Sequence, residues 1–251
     1  MSEAENQKIL HLWRSAVASD LRLLMRFHDR ETDLEWLETL KEQDFPHNLG
    51  LKLQSEIGIT CCDLMRQAIK ALPTTIDSNY LENLAADFAA IYLNHRLQAS
   101  PCESVWIDEE GLMHQEAMFQ VRQWYQQYEL AAENWRIRPD DHLVLQLAFI
   151  AHLFELDTKI ETLQQAAQFL DEHLLRWIND FAKRVAAHCN TDYYAGINLL
   201  TAQYLEELRD ILAELLAKPR PTAKEIEKRL RPQKTIEPVP MQYVPGTGPS
   251  W

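Results

Sequence analysis

Residues 161–188 read ETLQQAAQFLDEHLLRWINDFAKRVAAH. Phe169, Leu170, Leu174, Trp177, Ile178, Phe181 and Val185 recur at spacings of three and four, the stripe of a helix with one buried face. No glycine or proline interrupts them, so the sequence predicts one helix over 161–188. The pattern extends in both directions, with helices predicted at 112–131, 140–155 and 191–216. Nearer the start, Ile9, Leu12, Trp13, Ala16 and Leu23 recur with helical spacing. Thr32, Asp33, Leu34 and Glu35 suit a capped start for a second helix. That helix runs to about Asp44, and Pro46 ends the segment. Residues 48–72 form a long periodic stretch closed by Pro73. A helix over 79–97 carries Leu84, Phe88, Ile91 and Tyr92 on one face.

Only six glycines occur in the 251 residues. β-rich and α/β folds of this size need more of them for turns and phosphate loops. The sequence therefore predicts an all-α protein, a single bundle of about eight to ten helices over residues 1–217. Residues 98–111 are the longest interruption in this body and read as a hinge-like loop. No internal repeat marks a solenoid.

Residues 218–251 differ. They hold seven of the eleven prolines, and seven basic residues against three glutamates. A short helix is predicted at 222–230. The Pro-rich, basic remainder cannot pack as helix and reads as mobile or extended. The net charge of −13 therefore conceals a body with 18 basic and 35 acidic residues, or −17, beside a tail of +4. Such a body repels nucleic acid and favours basic partners. Solubility alone would also account for it.

Cys61, Cys62, Cys102 and Cys189 match neither a zinc pattern nor a disulfide framework, and read as reduced cytosolic thiols. The start MSEAENQKIL lacks the basic and apolar regions of a signal peptide. No apolar run approaches the ~20 residues that span a bilayer. The expectation is a cytoplasmic protein with no stable membrane insertion.

Two polar stretches stand out. Residues 100–106 read SPCESVW, and residues 138–142 read RPDDH just before the apolar run 143–154. Ser100 and Glu103 have capping-box spacing, with Pro101 at the favoured first helical position. Asp140, Asp141 and His142 fall in a predicted first turn, where carboxylates offset the helix dipole. Two adjacent carboxylates also suit a guanidinium. An acid–base pair is the enzymatic reading, but no nucleophile, metal cluster or cofactor loop accompanies it, so no enzyme and no cofactor are expected. Trp106 follows the first stretch. Trp124 and Tyr125, with Tyr128 and Trp135, form an aromatic patch that suits either a core or an apolar peptide. His142, His152, His173 and His188 lack metal spacing and read as solvated or locally bonded.

The stretch 100–106 followed by Asp108-Glu109-Glu110-Gly111, then Pro139-Asp140-Asp141-His142 with Leu145, Leu147 and Phe149, then Phe169-Leu170 with His173, Leu174, Leu175 and Trp177, resembles the signatures of the TorD/DmsD family. Members commonly carry Tyr where this chain has Cys102, and often Glu where it has Arg138. The likeness covers residues from about 88 to 185, in the expected order. It implies an all-α cytoplasmic chaperone, monomeric or homodimeric, for a molybdopterin oxidoreductase catalytic subunit. Such a chaperone binds the client's twin-arginine signal peptide, assists cofactor insertion and prevents premature export. Glu103, Trp106, Trp124, Tyr125, Asp140, Asp141 and His142 become the client-binding candidates. Asp141 and His142 are expected to face outward, toward the connection holding Trp106. A helical adaptor that docks through its Pro-rich tail is the alternative from another class.

Overall fold

The computed structural model describes residues 2–94, 96–134, 136–156 and 159–231. Trp135 and the Pro-rich sequence from 232 onward lie outside the described residues. The chain is all-α, as expected. Eleven α-helices are present among the described residues: α1 (Glu3–Asp29), α2 (Leu34–Glu42), α3 (Glu56–Lys70), α4 (Ser78–Phe88), α5 (Ser104–Ile107), α6 (Glu116–Gln126), α7 (Leu143–Leu156), α8 (Ile160–Glu172), α9 (Ile178–His188), α10 (Asp192–Leu215) and α11 (Ala223–Leu230). A π-helical turn, Ala89–Leu93, prolongs α4, and a 3-10 turn, Leu174–Arg176, links α8 to α9.

Helix α7 is apolar nearly all round, so it lies inside the bundle. It packs against α1 on one side and α8 on the other, while α10 packs against α3 and α9. Leu147, Ile150, Leu153 and Phe154 of α7 are within 2% of full burial. Its C-terminal carbonyls would be left unpaired in that core. Arg14 of α1, itself 1% exposed, meets them: it donates to the carbonyls of Leu153 and Phe154 at 2.9 and 3.1 Å. A cation at a helix C-terminus also opposes the helix dipole. Helix α10 crosses α3 closely at Gly196, where a Cβ would come within 3.1 Å of Met65 Sδ.

Two predicted helices are shorter than their periodicity. The stretch 48–72 becomes helical only at Glu56. Buried Asp20 accepts from the Gly50 and Leu51 N–H groups, both at 2.8 Å, and Glu207 accepts from Gln54 and Ser55. These bonds satisfy backbone donors that a helix would otherwise use, so 48–55 crosses the bundle as a pinned loop. The single helix predicted over 161–188 is two helices. The chain leaves α8 at His173 (φ −125°, ψ −85°) and re-enters a helix at Ile178. The apolar stripe survives because the break keeps Leu174, Trp177 and Ile178 in the core.

Candidate functional site

Pro101 and Pro139 each interrupt regular structure and leave neighbouring backbone groups to find partners elsewhere. They find each other. The Leu143 N–H donates to the Pro101 carbonyl at 2.8 Å and the Glu103 N–H to the Asp141 carbonyl at 3.1 Å. The result is an isolated antiparallel bridge between Cys102 and His142. The two signature stretches, far apart in sequence, are one junction.

Side chains then close it. Ser104 donates from both N–H and Oγ to Asp141 Oδ2, at 2.7 and 2.6 Å, so Asp141 caps the single turn of α5 from across the junction. The Val144 N–H donates to His142 Nδ1 at 3.2 Å, which makes His142 a cap for α7. Glu103 is fully buried. It accepts from Gln146 Nε2 at 2.9 Å and lies 3.1 Å from His173 Nδ1 and 3.7 Å from Arg176. His173 is fully buried too, and this contact accounts for its turn out of helical geometry. Arg122 of α6 donates twice to Asp140 Oδ2, at 3.0 and 2.8 Å, and the Tyr125 hydroxyl donates to the Asp140 carbonyl at 2.9 Å.

Several expectations are corrected by this geometry. Asp141 and His142 do not face outward. They are 0% and 8% exposed, with Asp141 Oδ2 turned to α5 and His142 Nδ1 to α7. Helix α7 starts at Leu143, so Asp140 and Asp141 precede it and do not fill its first turn. The Ser100 capping box does not form: Ser100 Oγ accepts from Cys102 N–H at 3.3 Å, and Glu103 turns inward to His173. Burial pushes the Asp141 carboxyl above its ordinary range, and the nearby Glu103 charge adds to this, against the lowering effect of the Ser104 bonds. Burial and the Asp141 charge likewise hold the Cys102 thiol protonated.

The aromatic candidates divide. Tyr125 is buried against Phe149, with ring centroids 5.0 Å apart. Trp106 is half-buried; its indole N–H donates to the Ser100 carbonyl at 2.8 Å and its ring meets Phe181 edge-on. Trp124 packs edge-on against Phe149 and Phe169, yet it also walls a cavity of about 450 Å³ with Glu116, Gln120, Gln168 and Glu172. Sequence reasoning missed Arg122 and Gln146 as partners. A lone glutamine in the apolar run of α7 was the available signal for Gln146; nothing in the sequence marked Arg122.

Among the described residues, no group of three or more His, Cys, Asp or Glu is placed to hold a metal. No helix among them is long and apolar enough to cross a membrane.

Residues 62–183, which include the whole junction, match the family model described as nitrate reductase delta subunit. The chaperone protein TorD of Vibrio cholerae, El Tor Inaba strain, is 31% identical over 210 residues, covering 75% of this chain and 94% of that protein. The chain belongs to the TorD/DmsD family. A probable Tat proofreading chaperone DmsD of Haemophilus influenzae is 26% identical over 139 residues, 55% of this chain and 66% of that protein. TorD of a Vibrio cholerae Ogawa strain is 31% identical over 141 residues, 53% of this chain and 64% of that protein. The chain thus spans just under two thirds of the length of these last two relatives. For a TorD/DmsD protein, the junction explains why its signature positions are polar: they join α5, α7 and the α8–α9 turn.

Proposed function

We propose that this chain is a cytoplasmic maturation chaperone and not an enzyme. Its client is the apo form of a molybdopterin oxidoreductase catalytic subunit, which it engages through the twin-arginine signal peptide during cofactor insertion. The observation that carries the reading is the likeness to TorD along 94% of that protein's length. The chemistry is compatible. A twin-arginine peptide presents two guanidinium groups and then an apolar stretch. The body of 1–217 is strongly acidic. Trp124, 9% exposed, lies with Glu116 and Glu172 in one cavity wall, apolar surface beside carboxylates. Asp140 already holds one guanidinium, that of Arg122, whose side chain is 28% exposed.

In this reading Trp124, Trp106 and the Asp140–Arg122 pair contact the peptide. Glu103, Tyr125, Asp141 and His142 position that surface from beneath. A synthetic peptide with an Arg-Arg pair followed by an apolar stretch should bind, and a Lys-Lys version should bind more weakly, because an ammonium cannot pair a carboxylate in the planar fork of arginine. Salt should weaken the charged part over a Debye length of ~8–10 Å and spare the apolar contact. Equal titration curves for the Arg-Arg, Lys-Lys and scrambled peptides would reject the reading.

A further inference from the structure

Helix α11 is laid on the body without being part of its core. None of its residues is buried. It rests on α8. Ile226 and Leu230, one turn apart on one face, are half-buried, and the other residues of α11 are exposed. Arg229, half-exposed beside this face, stands 3.7 Å from Glu172, whose side chain is only 4% exposed. The Leu230 carbonyl accepts from Gln120 Nε2 of α6 at 3.0 Å.

Two cavities flank this helix. One of about 450 Å³ lies on the α6 side, walled by Trp124, Glu116 and Glu172. The other, about 640 Å³, lies between α8 and α10 and includes Glu161 and Asp171. Gln168 and Arg229 line both, so α11 sits as a bar across one trough. The charges are complementary: residues 218–231 hold six basic residues against two acidic. The strap has an anchor that α11 does not share. Arg220 pairs with Glu206 and, at 2.8 Å, with Asp210, and prolines flank it at 219 and 221. The root of the segment is thus held independently of α11.

The inward face of α11 is the apolar pair Ile226 and Leu230, with the half-exposed Arg229 at its edge reaching Glu172, the combination of cation and apolar side chains already assigned to the client peptide. We propose that α11 is a built-in competitor. Through Ile226, Arg229 and Leu230 it occupies a trough along α6 and α8 that receives the arginine-bearing apolar segment of the client, and it yields to that segment. This rests on the peptide-binding reading above. A helix of eight residues is marginal when detached, despite its Thr222–Glu225 capping box. Displacement should thus expose its backbone amides.

The test uses the full chain, the Arg-Arg peptide and two variants. Ile226→Asp with Leu230→Asp removes the apolar grip, and Arg229→Ala removes only the ionic one. A ligand whose site is partly closed binds more weakly by the fraction open. The double variant should therefore bind the peptide roughly fivefold or more tightly than wild type, and Arg229→Ala should fall between them. In wild type, the peptide should speed hydrogen exchange at 223–230. Equal affinity for all three proteins, with α11 still protected in the complex, would overturn the competitor and leave the peptide-binding reading intact. Failure of the peptide to bind any of them would remove both. Dimerisation of the double variant without peptide would assign the trough to a second copy of the chain and likewise overturn the proposal.

Discussion

The junction at Glu103 and the strap at α11 use the same interactions to opposite ends. Each sets a basic side chain against a carboxylate beside aromatic rings. At the junction Glu103 and His173 are 0% exposed, and each signature stretch satisfies the backbone of the other. At the strap no residue of α11 is buried, and the half-exposed Arg229 stands 3.7 Å from the buried Glu172. A buried polar group must keep its partners, because losing one leaves the other without water or substitute. An exposed arginine can trade its partner for solvent at little cost. Polarity at a family signature therefore marks architecture here, and the contact that can be exchanged lies at the edge.

The largest effect should come from breaking the junction. Glu103→Ala strands one N–H of the Gln146 amide, whose other bond to the Asp141 carbonyl remains, and takes the partner from His173 Nδ1. Such losses cost about 1–3 kcal/mol for each stranded group. Unfolding free energy should fall by about 3 kcal/mol, and the melting midpoint by roughly 6–12 °C for a chain of this size. A midpoint like that of wild type would show that the junction does not hold the body together.

Asp141→Asn sharpens the comparison with a smaller loss and a pH signature. Asparagine keeps one acceptor for Ser104, so the cost near neutral pH should be roughly 1 kcal/mol. Burial raises the Asp141 carboxyl from its ordinary 3.8. A carboxyl raised on folding binds its proton more tightly in the native state. Its contribution to stability is therefore present below 3.8 and is lost as pH rises through the raised value. The asparagine variant lacks this term. The deficit of Asp141→Asn relative to wild type should grow as pH falls from neutral to below 3.8. Melting both proteins across that range measures it, and a deficit that shrinks toward acid would contradict the assignment.

Helix existence was legible because apolar periodicity is a local signal. The stripe from Phe169 to Val185, the capped start within 32–35 and the short helix at 222–230 needed no tertiary information. Helix interruption was not. His173 leaves the helix to meet Glu103, 70 residues away in sequence, and 48–55 stays unwound because Asp20 and Glu207 hold its amides. Neither break carries a proline or a tell-tale glycine pair. The candidate residues were legible as a set, since Glu103, Asp141 and His142 do meet. Their direction was not. Polar residues before an apolar helix read as solvent-facing unless the partner segment is known, and here Asp141 faces Ser104 across the junction.

The smallest effect should come from the strap. Ile226→Asp with Leu230→Asp removes the only half-buried side chains of α11. If α11 is a displaceable element, its release is a local opening, separate from the cooperative unfolding of the bundle. Surface changes away from the core usually stay within about 0.5 kcal/mol. The melting midpoint should thus barely move, while hydrogen exchange at 223–230 accelerates. The anchoring of Arg220 to Glu206 and Asp210 keeps the root of the strap in place, so exchange at 206–215 in α10 should remain slow. A midpoint that falls as far as in Glu103→Ala would make α11 part of the body, and the contrast between junction and strap would fail.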